Sequence, residues 1–193
     1  MLRVAITGNI ASGKSTVEKI LTQKGFSVLD TDKVTHKLLN CDEVFDAFKG
    51  FDVVENGQIS RQKLGQIVFN NNDLLKKLEQ ILHPKIQTEI ENFFKEHKSE
   101  KVVFVSIPQL FEANMENLFD KIILITADDN IRLQRLVDRN GFDKDYAQKR
   151  INAQIPQEEK IKKSDTIINN NGTLDEIEKQ LRIHPFIHTN KSV

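Results

Sequence analysis

The sequence is short of the residues that mark special environments. It has one cysteine, Cys41, so no disulfide can close within the chain; a disulfide-stapled scaffold is excluded and a reducing compartment fits. Tryptophan is missing and proline occurs four times, a composition that points to neither disorder nor fibre. Neither sign of charge is in excess. Lys plus Arg and Asp plus Glu number 28 each, so no global positive field gathers nucleic acid or an anionic membrane, and any anionic ligand must be held by local charge. Long apolar runs are also missing. Ile122-Ile123-Leu124-Ile125 falls far short of the roughly 20 residues that span a bilayer, and Gly8 interrupts the first apolar stretch before it reaches the length of an export signal. These absences predict a cytoplasmic protein with neither nucleic acid nor membrane as partner, and they leave the oligomeric state open.

What remains is an α/β pattern. Leu2-Arg3-Val4-Ala5-Ile6-Thr7 reads as a strand ended by Gly8, and Val17, Ile20 and Leu21 follow at helical spacing. Gly25 stops that helix, and Phe26 to Asp30 reads as a second strand, which implies a parallel sheet. Sheet signals return at Lys101 to Ile107, Lys121 to Thr126 and Asp165 to Ile168, giving about five strands. From about 36 to 98 the pattern is helical, with Leu74, Leu75, Leu78, Ile81 and Leu82 on one stripe and Ile86, Ile90, Phe93 and Phe94 on another. Pro84 is expected to separate two helices. This stretch is longer than a crossover needs, so it reads as a lobe that holds a second substrate. The segment from Arg132 to Lys163 is rich in Arg, Lys and Gln, which suits a mobile cover, and His184 to Val193 reads as a frayed end.

Between the first strand and the first helix stands Gly8-Asn9-Ile10-Ala11-Ser12-Gly13-Lys14-Ser15. A loop that binds polyphosphate needs converging backbone N–H groups, and glycine lets the chain turn so that they converge. Lys14 can place its ammonium on the phosphates, Ser15 can ligate Mg²⁺, and the helix presents its positive end to the anion. A chance glycine turn before Lys-Ser would lack the flanking strand and helix. Asn9 tolerates left-handed backbone, whereas Ala11 is expected to keep a negative φ.

A guanine-nucleotide switch would add Asn-Lys-x-Asp and Asp-x-x-Gly motifs, and neither is present; a motor or ABC-type ATPase would end a strand in Asp or Asp-Glu, yet residues 101 to 106 run into Ile107-Pro108. A small-molecule kinase gains by elimination. Over nearly its whole length the chain resembles the dephospho-CoA kinases. The resemblance rests on Thr7 to Thr16, Val28-Leu29-Asp30-Thr31-Asp32, Gly57-Gln58-Ile59-Ser60-Arg61 with Leu64 and Val68-Phe69, and Ile81-Leu82-His83-Pro84-Lys85-Ile86. It continues through Ile107-Pro108-Gln109-Leu110-Phe111-Glu112, Arg135 and Arg139, Arg150-Ile151-Asn152-Ala153-Gln154, and Ser164-Asp165 to Asn170-Asn171-Gly172. Asn9, Ala11, Thr31, Gln109 and Asn169 depart from the family pattern without removing a group assigned to chemistry.

The resemblance implies a P-loop, nucleotide-kinase-like fold: a five-stranded parallel sheet flanked by helices, in one domain over 1–193. The core would comprise 1–35, 99–137 and 157–193, with a helical acceptor lobe at 36–98 and a lid at 138–156. It implies ATP and Mg²⁺ as cofactors and dephospho-CoA as the acceptor, phosphorylated at its ribose 3′-hydroxyl. Gly8, Ala11, Ser12, Gly13, Lys14, Ser15 and Thr16 would hold the nucleotide, with Ser15 on the metal and Asn170 at the adenine. Asp32, with Lys14 and Arg139, would carry the chemistry: Asp32 as general base, unless it or Asp30 caps the next helix. Arg139, with Arg135 second, would close over the phosphates, or else solvate a helix. Arg61 and Lys85 are candidates for the acceptor pyrophosphate, and His83 for the joint beside Pro84 or the acceptor pocket. His36, His97, His184 and His188 have no spacing that argues for zinc. Another nucleoside or nucleotide kinase, and a nucleotide-gated binding module, remain as alternatives.

Overall fold

The structure is a computed structural model that describes residues 1–187; His188 and the rest of the terminus lie outside the described residues. In chain order the elements are β1 (Leu2–Thr7), α1 (Lys14–Gln23), β2 (Val28–Asp30), α2 (Thr31–Leu38), α3 (Asp42–Phe48), β3 (Val54–Glu55), β4 (Gln58–Ile59), α4 (Arg61–Val68), α5 (Asn72–Glu96), β5 (Val102–Ser106), β6 (Lys121–Thr126), α6 (Asp129–Asn140), α7 (Lys144–Asn152), α8 (Gln157–Lys162), β7 (Thr166–Asn169) and α9 (Leu174–Arg182). The described residues divide into two compact units, one built from 1–29 and 97–187, the other from 30–96.

The first unit is organised by a five-stranded parallel sheet in the order β2-β5-β1-β6-β7. Strand β1 sits between β5 and β6, with Leu2 opposite Val102, Ile6 opposite Ser106 and Thr7 opposite Leu124. β1 reads Val4-Ala5-Ile6 without polar alternation, and all three are fully buried, so both faces of the strand are covered. Helix α1 packs Val17, Ile20 and Leu21 into this core with Phe26, Phe104, Ile123, Ile125 and Ile168. The end of the described chain joins it. His184 donates its N–H to Leu181 O, Ile187 donates to His184 O, and Ile187 is buried in the same cluster beside Phe186. The expected fraying therefore does not hold for residues 184–187, whose two apolar side chains have a surface to bury against.

In the second unit α5 corrects a second expectation: it runs unbroken through Pro84. Its buried side chains Leu78, Leu82, Ile86, Ile90, Phe93 and Phe94 form one stripe that crosses the proline without changing face. An internal proline costs about 3 kcal/mol, whereas burying six large apolar side chains at about 1.5–3 kcal/mol each outweighs it. Pro84 itself is exposed, so the carbonyl that loses its helical donor can be solvated. Not all of this unit is helical. Val54 pairs with Ile59 and Glu55 with Gln58 across a two-residue turn, Asn56-Gly57, with φ 49° and 78°. Positive φ at both central residues is what such a hairpin turn requires, and Asn-Gly is its strongest sequence signal.

Candidate functional site

Strand β1 delivers the chain to its carboxyl end at Thr7, and the loop that follows is shaped by tight contacts. A side chain at Gly8 would meet Ile125 O and Ser12 Oγ, each at 2.5 Å. At Gly13, φ is 98° and a Cβ would overlap Asn170 Nδ2, so only glycine fits. Between them Ser12 N–H donates to Asn9 O at 3.0 Å and closes a turn. Its third residue, Ala11, has φ 60°, contrary to the negative φ expected. The turn puts its positive-φ position there, as a type II turn does, whichever residue occupies it.

The loop feeds the N-terminus of α1, where Gly13 is the cap. No side chain accepts from the cap amides and the first turn holds no acidic residue. The positive end of the helix dipole is thus left without an internal counter-charge. Lys14, the first helical residue, donates its Nζ to Gly8 O at 2.9 Å, which folds the ammonium back over the loop. Ser15 is exposed, Thr16 half-buried. A helix N-terminus without a counter-charge and one ammonium suit a polyphosphate.

The α6–α7 pair surrounds this loop. Arg135 Nη1 donates to Ala11 O at 3.2 Å and to Ser12 O at 3.4 Å, and its Nη2 donates to Asn170 O at 2.8 Å. Asn170, buried at the end of β7, donates Nδ2 to Ser12 O at 2.7 Å. Arg139, one turn further along α6, is exposed and donates Nε to Asn140 Oδ1 at 3.0 Å. The structure brings Arg135, not Arg139, onto the loop. Just past α7, Gln154 Oε1 accepts the Ile10 N–H at 2.6 Å and Ile155 O accepts from Asn9 Nδ2 at 3.0 Å. Leu136, Ala147 and Ile151 form an apolar cluster against which Ile10 and Ala11 pack. That seam is less evident in a composition dominated by Arg, Lys and Gln.

Several buried polar atoms here have no hydrogen-bond partner, among them Asn9 Oδ1, Ser12 Oγ and both carboxylate oxygens of Glu112. Lys160 is fully buried with Nζ 2.7 Å from Glu112 Oε1, off the angle of a hydrogen bond to it. Sequence reading gave no role to Lys160, and a lysine in a short charged helix carries no signal of burial.

The second unit holds the other candidates. Asp30 caps α2, its carboxylate accepting the Asp32 N–H at 3.0 Å. The capping role therefore falls to Asp30, and Asp32 presents an exposed side chain in the first turn. Arg61 begins α4 and is exposed. His83 lies within α5, half-buried, and Lys85 Nζ donates to Glu43 Oε1 at 2.6 Å. That hydrogen bond, the largest influence on Glu43, lowers its carboxyl to about 2. Among the described residues no three acidic, histidine or cysteine side chains converge as a metal-binding group, and no helix is long and apolar enough to cross a membrane.

Comparison with known proteins adds a family. The family model for dephospho-CoA kinase matches residues 2–176. A dephospho-CoA kinase from Fusobacterium nucleatum is 39% identical over 185 residues, covering 92% of this chain and 94% of its own. Among solved structures, dephospho-CoA kinase from Campylobacter jejuni is 35% identical with a TM-score of 0.71 over 94% of each chain. A protein from Thermus thermophilus is 32% identical with a TM-score of 0.84 over 94% of this chain and 95% of its own.

Proposed function

Because this chain belongs to the dephospho-CoA kinase family, we propose that it transfers the γ-phosphate of ATP to the ribose 3′-hydroxyl of dephospho-CoA, yielding coenzyme A and ADP. The observation that carries this reading is the anion cradle at the start of α1, which has an ammonium and a bare helix N-terminus but no acidic side chain of its own. The loop amides between Gly8 and Thr16 other than those of Ile10, Ser12 and Thr16, which bond internally, hold the phosphates of ATP, and Lys14 neutralises the charge that spreads over the transferred group. The Ser15 hydroxyl would hold the Mg²⁺ that accompanies the nucleotide, the arrangement of P-loops, which needs no acidic cluster, and the ion would offset phosphate charge.

In the transfer a bond forms between the acceptor 3′-oxygen and the γ-phosphorus as the bond from that phosphorus to the β–γ bridging oxygen breaks. The hydroxyl proton goes to Asp32. Asp30 supports that role by taking over the helix cap. Residues 138–156 serve as the lid that excludes water, with Arg139 closing over the phosphates from it, while Arg135 and Asn170 support the loop from behind. Arg61 and Lys85 are the acceptor-side cations, and the cytoplasm is the place of action.

The deciding assay is ATP turnover with and without dephospho-CoA, run beside a panel of nucleosides and nucleotides. Turnover that depends on dephospho-CoA supports the reading; turnover with another acceptor, or none with any, overturns it. Asp32→Asn should lower kcat by about 10²–10⁴-fold while MgATP still binds. A near-normal kcat would remove the base assignment.

A further inference from the structure

The geometry points to Gln154 as a positioning residue for the phosphate loop: it locks the Asn9–Ile10 peptide group and with it the direction in which the loop amides face. Asn9 C=O and Ile10 N–H belong to one peptide plane. Its oxygen accepts Ser12 N–H at 3.0 Å from inside the turn, and its N–H donates to Gln154 Oε1 at 2.6 Å from outside. Remove Gln154 and the plane is held at one end only.

The turn needs that second hold. Ala11 sits at φ 60° without being glycine, a conformation that persists only where its surroundings over-determine it. Relaxation would rotate the neighbouring peptide and turn a carbonyl oxygen toward the space that the anion's donors face. The remaining contacts act elsewhere on the loop. Arg135 grips the carbonyls of Ala11 and Ser12, Ile155 O holds the Asn9 side chain, and the apolar cluster takes the side chains of Ile10 and Ala11. Among these contacts Gln154 alone occupies a loop amide. It spends the Ile10 N–H, as the internal turn spends that of Ser12, and so determines which donors are left for the nucleotide.

This inference rests on the proposed use of the loop for ATP, and its test separates the two. MgATP binding by calorimetry and hydrogen exchange of the Ile10 amide are measured without acceptor, on the full chain. Gln154→Met keeps the length of the side chain and removes the acceptor; Gln154→Glu keeps an acceptor oxygen. For Gln154→Met the expected result is MgATP binding weaker by about tenfold, the worth of one hydrogen bond, with Ile10 exchange faster by a similar factor. The KM for dephospho-CoA should stay at its wild-type value, and the KM for ATP should rise by a larger factor than kcat falls. Gln154→Glu should return Ile10 exchange to the wild-type rate. Wild-type affinity and exchange in Gln154→Met overturn the proposal, and so does an equal rise in both KM values, which would mark general disruption. Exchange in Gln154→Glu as fast as in Gln154→Met also overturns it. Failure to phosphorylate dephospho-CoA would overturn the assigned reaction and leave the exchange result standing.

Discussion

The two ends of the parallel sheet are built on opposite terms. At the amino ends of β1, β6 and β7 the charges are matched. Asp120 accepts the Arg3 N–H at 2.8 Å and Arg3 Nη2 at 3.2 Å, while Asp165 accepts Lys121 Nζ and the Ile122 N–H, both at 2.8 Å. Burial raises each carboxyl, but the hydrogen bonds and the neighbouring cations outweigh it and hold both below their ordinary values. At the carboxyl end, Asn9 Oδ1 and Ser12 Oγ are buried without hydrogen-bond partners, and Ala11 is held in the left-handed region. Unsatisfied groups and backbone strain of this kind lower stability and collect where a ligand is to be received. One end stabilises the sheet, and the other holds it ready for nucleotide.

The largest blow to that division should come from Gly13→Ala. The left-handed backbone costs a non-glycine residue about 1–2 kcal/mol, and crowding Asn170 adds about 1–3 kcal/mol, because its Nδ2 is already committed to Ser12 O. We expect a loss of about 2–5 kcal/mol in urea unfolding, together with loss of measurable MgATP binding. A variant as stable as wild type would show that the loop is far softer than its contacts imply.

Asp165→Ala strikes the other end. It removes one backbone hydrogen bond of about 1 kcal/mol and a half-exposed ion pair worth less than that. We expect about 1–2 kcal/mol of lost stability at pH 7 with kcat/KM unchanged. The pH dependence follows from the lowered carboxyl. A group whose folded-state pKa is depressed contributes fully above its unfolded pKa, about 3.9, and loses that contribution as pH falls through the folded value. The gap between variant and wild type should begin to narrow below about pH 4 and close once the pH is below the folded-state value; a gap that stays constant through that range would assign the effect to something other than the carboxylate.

The amino-acid pattern made some of this division legible and hid the rest for identifiable reasons. Strands β1, β5 and β6 are continuous apolar runs, so burial alone announces them, and the loop has glycine where only glycine fits. The hairpin at Asn56-Gly57 carried a signal that the helical stripes around it overshadowed. Pro84 was read by its local cost, which the buried stripe of α5 overrides. The loop's outer supports were the least visible. Gln154 and Ile155 meet Ile10 and Asn9 across most of the chain, and nothing local to a glutamine at the end of a helix says which amide it will accept.

The smallest effect, and the sharpest test of how strain is balanced at the carboxyl end, is Ala11→Gly. Glycine relieves about 1 kcal/mol of left-handed strain. Against that, it loses a methyl packed on the Leu136–Ala147–Ile151 cluster, worth about 0.8 kcal/mol, and loosens the unfolded chain by about 0.5–1 kcal/mol. The terms nearly cancel, so thermal and urea unfolding should place the variant within about 1 kcal/mol of wild type. Stabilisation beyond that would mean that the strain at Ala11 is not offset by packing, and that the loop stores it until nucleotide binds. Destabilisation beyond it would mean that the methyl is chiefly a packing group of the α6–α7 pair, with the positive φ a consequence of where that pair holds it.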